Sequence, residues 1–86
     1  MSHKLVGFTD SINWVYIQNQ LQAIAKQISG LEIELATESD SRLKKYTKTP
    51  NRLPCYMLFQ NDGHKNHIHA KMIEDYAIQW VKGAIG

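Results

Sequence analysis

Three groups of side chains in this 86-residue chain could do chemistry, and each is incomplete. Cys55 is the only cysteine, so no disulfide can form within the chain. As a lone thiol it could form mixed disulfides or take a metal. Against that, it opens the apolar run Cys55-Tyr56-Met57-Leu58-Phe59, where a cysteine serves as a small buried hydrophobe. His64, His67 and His69 are the second group. On a strand His67 and His69 share a face, and histidines at that spacing can ligate zinc or copper. No cysteine or carboxylate lies within the segment to complete a tetrahedral site, so they read as solvated or partner-facing and no metal is assigned. His3, close to the start, is not given a role. The third group is the basic run Arg42, Lys44, Lys45, Lys48 and Arg52, which follows the acidic Glu32, Glu34, Glu38 and Asp40. It could contact phosphates or an acidic protein surface. Only Tyr46 interleaves with it, and it matches no nucleic-acid module, so it reads as a solvated helix and loop and nucleic acid is not the expected partner. No phosphate-binding loop, dinucleotide fingerprint, Ser-His-Asp arrangement or acidic metal cluster is visible, and no cofactor is expected.

These side chains must be held by a single small domain, residues 1–86, with no room for a second core. Hydrophobic residues make up 43% and charged residues 21%, ordinary for a globular chain, and nothing staples the fold. The net charge of +2 is too small to argue for nucleic acid by itself. No apolar run approaches the ~18 residues of a membrane span. Met1-Ser2-His3-Lys4-Leu5-Val6 lacks the apolar core of a secretory signal. The expected setting is the cytoplasm, or a particle assembled there.

Lys4 to Phe8 reads as a first strand. Thr9-Asp10-Ser11 then offers an N-cap, because these side chains accept from the free amides of a first helical turn. Apolar residues at 14, 17, 21, 24, 25 and 28 make a helical stripe that Ser29-Gly30 ends, with Gly30 suited to a left-handed cap. Leu31 to Leu35 alternates as a strand with one wet face. Ser39 or Ser41 can cap a short helix over 42–46 whose inward pair is Leu43 and Tyr46. Leu53-Pro54 forbids helix and leads into a strand, Cys55 to Phe59, buried on both faces. Asn61-Asp62-Gly63 is a tight reversal, and His64 to Ala70 is its hairpin partner. A last helix starts at Lys71 or Met72 with Ile73, Tyr76, Ala77, Trp80 and Val81 inward. Trp14 and Trp80 are both expected in the core, Trp14 lying where a partner could also cover it. The class is α/β, in the order β-α-β-α-β-β-α. The first two strands should be parallel by a right-handed crossover, in a four-stranded mixed sheet flanked by helices.

Over nearly its whole length the chain resembles a minimal thioredoxin-like fold. The carrying residues are Leu53-Pro54-Cys55-Tyr56-Met57-Leu58-Phe59-Gln60-Asn61-Asp62-Gly63, similar to the family's Ile-Pro-Thr, apolar strand and Asn-Gly turn. Ile17-x-x-x-Leu21-x-x-Ile24-Ala25 resembles the family's first helix, and Tyr46 fits the end of a short helix before the proline loop. The resemblance implies that Pro54 is the family's cis-proline. It also places the family's Cys-x-x-Cys at Ser11-Ile12-Asn13-Trp14, where neither sulfur is present.

Thioredoxin chemistry needs a thiolate of lowered pKa at a helix N-terminus and a second thiol to resolve the mixed disulfide. Ser11 and Trp14 supply neither. The expectation is a redox-inactive thioredoxin-like protein, not an enzyme, serving as a binding or structural module. Its docking surface would comprise Thr9, Asp10, Ser11, Ile12, Asn13 and Trp14 with Leu53, Pro54 and Cys55. The partner would be a protein, and a subunit of a larger assembly such as a phage virion fits. The alternative is a thiol-dependent oxidoreductase or transferase using Cys55, with Thr9, Ser11 or a histidine as helper.

Overall fold

A computed structural model describes residues 2–85; Met1 and Gly86, the ends of the expected domain, lie outside the described residues. The chain forms β1 (His3–Thr9), α1 (Trp14–Gln27), β2 (Leu31–Thr37), α2 (Ser41–Tyr46), β3 (Cys55–Gln60), β4 (Gly63–Ile68) and α3 (Glu74–Ile85). The sheet is four-stranded and mixed, in the order β2-β1-β3-β4. β1 and β2 run parallel, as the intervening helix requires, and β3 is antiparallel to both β1 and β4.

Alternation along β1 and β3 divides the core between two faces. Leu5, Tyr56 and Leu58 pack with Ile17, Leu21 and Ile24 of α1 and Ala77, Ile78 and Val81 of α3. Val6, Phe8, Cys55, Met57 and Phe59 point the other way, against Leu43, Ala36, Tyr46 and Leu53. Gly7 lets α1 lie close on β1: a Cβ there would stand 2.7 Å from Ile17 Cγ2 and 3.1 Å from Leu21 Cδ1. A buried polar chain ties α1 to the sheet and to the segment ahead of α3. Tyr56 donates its hydroxyl to Gln20 Oε1, Gln20 Nε2 donates to the Met72 carbonyl, and Tyr16 Oη donates to the same carbonyl at 2.8 Å.

Several local expectations need correction. The N-cap of α1 is Asn13 rather than Thr9, Asp10 or Ser11. Asp10 instead pins the preceding turn, its Oδ1 accepting from the Asn13 amide at 3.0 Å and from Asn13 Nδ2 at 3.1 Å. Asp40, not a serine, caps α2, accepting from the Arg42 amide at 2.9 Å. Positive φ falls at Asn61 (51°) and Asp62 (67°), so Gly63 already belongs to β4, which ends at Ile68. Gly30, at φ 80°, is left-handed as expected.

α3 starts at Glu74, later than Lys71 or Met72, and its inward face is Ala77, Ile78 and Val81. Ile73 (68% exposed) and Tyr76 (53%) therefore lie outside the core, and Trp80 is only half-buried. Trp14 is likewise half-buried and belongs to neither core cluster. β2 is drier than a strand with one wet face: Glu32 is exposed, but Glu34 is partly covered by Lys4 and Arg42.

Candidate functional site

Parallel strands joined by a helix leave a crevice beyond their carboxyl ends, where the chain departs to either side. Here β1 ends at Thr9 beside Thr37 at the end of β2. The crevice is a pocket of about 460 Å³. Thr9, Asp10, Ser11 and Trp14 line it, together with Val15, Thr37 and Glu38. Thr9 is buried and donates its hydroxyl to the Asp10 carbonyl at 3.0 Å, so the polar floor is already satisfied. Ile12 (89% exposed) and Val15 (65%) stand at the start of α1 as bare apolar side chains.

The second half of the expected surface is adjacent but not continuous with the pocket. The β1–β3 register ends with Phe8 paired to Cys55, the residue after Pro54. The Leu53–Pro54 peptide bond is cis. Leu53 is half-buried, while Pro54 and Cys55 are buried, and none of the three lines the pocket. Cys55 points into the α2-side core, and burial pushes its thiol up to about 12. A thiol held neutral and enclosed is a poor nucleophile and a poor ligand.

Sequence reasoning missed Val15, Thr37 and Glu38. Their signal was present: once the first two strands are taken as parallel, the residues that end the second must meet those that end the first. Val15 was overlooked because it falls off the helical stripe, which is why it is free to face the crevice.

The histidines come together more closely than the sequence suggested. The β3–β4 pairing shifts between Leu58 and Phe59: Leu58 faces Asn66 while Phe59 faces His64, leaving Lys65 as an extra residue. This bulge turns His64 onto the same side as His67 and His69. His64 Nε2 and His67 Nδ1 are 2.9 Å apart, and the His64 ring stacks on Tyr46 with centroids at 4.8 Å. His69 Nδ1 lies 2.9 Å from the Arg52 carbonyl and its Nε2 2.7 Å from Thr47 Oγ1. A carbonyl can only accept, so His69 Nδ1 carries a proton. Among the described residues no group of three or more His, Cys, Asp or Glu is arranged to hold a metal.

Of the basic run, Arg42 is turned inward. Its Nη2 is 2.9 Å from Asp40 Oδ2, it also pairs with Glu34, and its guanidinium lies over the Phe8 and Phe59 rings. Hydrogen bonds from Arg42, then from Lys4, hold the Glu34 carboxyl below its usual range, and the Arg42 hydrogen bond does the same for Asp40. Lys44, Lys45, Lys48 and Arg52 remain exposed, so the run is a four-residue rim rather than a five-residue patch.

No protein-family model matches the sequence, and no curated protein matches it. Among the described residues no helix is long and apolar enough to cross a membrane.

Proposed function

We propose that the chain is a thioredoxin-like module without dithiol chemistry, a binding or structural unit that docks a polypeptide at the crevice beyond β1 and β2. The observation that carries this reading is the chemistry of the crevice itself. Where the resemblance places a nucleophilic and a resolving sulfur, Ser11 and Trp14 line an open pocket, flanked by the exposed Ile12 and Val15. Bare aliphatic side chains beside a half-buried indole suit a protein contact, in which apolar and aromatic anchors dominate the energetics. The strand order and directions support the thioredoxin-like assignment. The partner belongs to a larger assembly, a phage virion being one that fits, built in the cytoplasm.

An enzyme built on Cys55 is the alternative, and the burial of that thiol speaks against it. The test is disulfide reduction and glutathione transfer by the parent protein and by Cys55→Ser. The proposal expects no turnover in either. Turnover in the parent that vanishes in Cys55→Ser would overturn it.

A further inference from the structure

The row Tyr46–His64–His67–His69 joins α2, β4 and the loop that runs from Thr47 to Pro54, and it does so with titratable rings. We propose that this row is an acid-opened latch: a hydrogen-bonded histidine cluster that holds β4 against α2 when neutral and releases it when the His64–His67 pair takes up more than one proton.

The geometry sets the limit of one proton. In the neutral pair, one of His64 Nε2 and His67 Nδ1 donates and the other accepts across 2.9 Å. A single added proton leaves an imidazolium that can donate across the same gap. A second added proton, on the partner ring, places two N–H groups head to head at that distance, and the rings must part. His67 also sits between two like groups, with its ring centroid 5.1 Å from His64 and 5.3 Å from His69. His69 faces away from this pair, with Nδ1 on the Arg52 carbonyl and Nε2 on the Thr47 hydroxyl.

The groups that touch the row are rings, hydroxyls and a carbonyl. Phe59 of β3 and Tyr46 of α2 meet His64 edge-on and face-on, and Lys45 Nζ of α2 lies 5.2 Å from the centroid of the Tyr46 ring. Lys65 of β4 is engaged with Gln60, and Arg52 contributes its carbonyl. Between Ser41 and Ile73 the only acid is Asp62, which sits in the β3–β4 turn, against the bases Arg42, Lys44, Lys45, Lys48, Arg52, Lys65 and Lys71. Among the described residues no ion pair joins a carboxylate to His64, His67 or His69. Burial first, then the charges of His64 and His69, lower the His67 pKa.

The sign follows by linkage. The unfolded chain titrates His67 at its ordinary value of about 6.5 and so binds protons before the folded protein does. The stabilisation is whole above that pH and is lost as pH falls through it toward the lower folded value. Glu34 and Asp40, lowered from 4.5 and 3.8, act only in a more acidic window, so the two effects separate. The latch does not rest on the proposed docking function.

Hydrogen exchange on the full chain, corrected for the intrinsic rate, tests it between about pH 7.5 and about pH 5. The expected result is a loss of about ten-fold in protection at β4 amides over that range, with β1 amides much less affected. The fall should be abolished in His67→Phe, which keeps a ring and removes the titration. If that variant does not fold, His64→Gln, which can bond His67 in any protonation state, should flatten the same curve. Equal loss in β1 and β4, or an unchanged loss in the folded variant, would overturn the latch. Exchange needs no partner, so a protein that binds nothing but opens with acid would refute only the docking reading.

Discussion

The two faces of the sheet are covered by different means. On one, the 14-residue α1 and the 12-residue α3 supply a continuous apolar layer, crossed by a hydrogen-bonded chain from Tyr56 through Gln20 to Met72. On the other, α2 has six residues and buries only Leu43. The remainder of that face is roofed by the Arg42 guanidinium over Phe8 and Phe59 and by the Tyr46–histidine row. Apolar burial is nearly indifferent to pH and salt, whereas ion pairs and imidazole hydrogen bonds are not. One face should therefore behave as fixed scaffold, and the other should respond to solution conditions.

The largest effects should come from the scaffold face. Leu21→Ala removes a side chain that is 1% exposed and should cost about 2–5 kcal/mol in urea denaturation, with little change between low and high salt. Gly7→Ala drives a methyl into Ile17 and should cost about 1–3 kcal/mol. Tyr56→Phe leaves Gln20 Oε1 without its donor and should cost a similar amount, about 1–3 kcal/mol.

On the responsive face, Arg42→Met should cost no more than about 1 kcal/mol, since its partners are partly exposed and screened. Its signature is different: salt should erase most of the difference between parent and variant. Glu34 and Asp40 have folded pKa values below their unfolded ones, so the parent loses stability as pH falls below about 4.5, and Arg42→Met should lose less there. A salt-independent Arg42→Met effect as large as that of Leu21→Ala would break the comparison. The smallest effect tests the scaffold face once more. His3 is buried on the α1 side of β1, and its Nε2 has no hydrogen-bond partner among the described residues. His3→Leu should gain up to about 1 kcal/mol, raising Tm by about 4–8 °C per kcal/mol.

The strands and the long first helix were legible because their periods are unambiguous. Leu53-Pro54 before five apolar residues admits little but a strand entry, and Gly30 marks the end of α1. On α3 the expected face holds at Ala77 and Val81 and in part at Trp80, which packs against the core, but it includes the exposed Ile73 and Tyr76 and omits Ile78, because two apolar stripes overlap there. Periodicity cannot choose between them; packing against β3 and α1 does. The α2 cap was misplaced among Ser39, Asp40 and Ser41 because all three residue types cap well, and the turn closed by the Asp40 amide on the Thr37 carbonyl at 3.2 Å decides. The bulge at Lys65 had no sequence signal, so the third histidine could not be placed. Half of the crevice was legible from Thr9 to Trp14, while Thr37 and Glu38 required the parallel register to be followed to its end.

The most direct measurement of the central claim is the native mass of the protein isolated from the cells that make it, for the parent and for Ile12→Asp. The account predicts a stoichiometric complex with another polypeptide in the parent, and its loss in Ile12→Asp without loss of folded protein. A monomeric parent, or a complex that Ile12→Asp leaves intact, would contradict docking at the crevice.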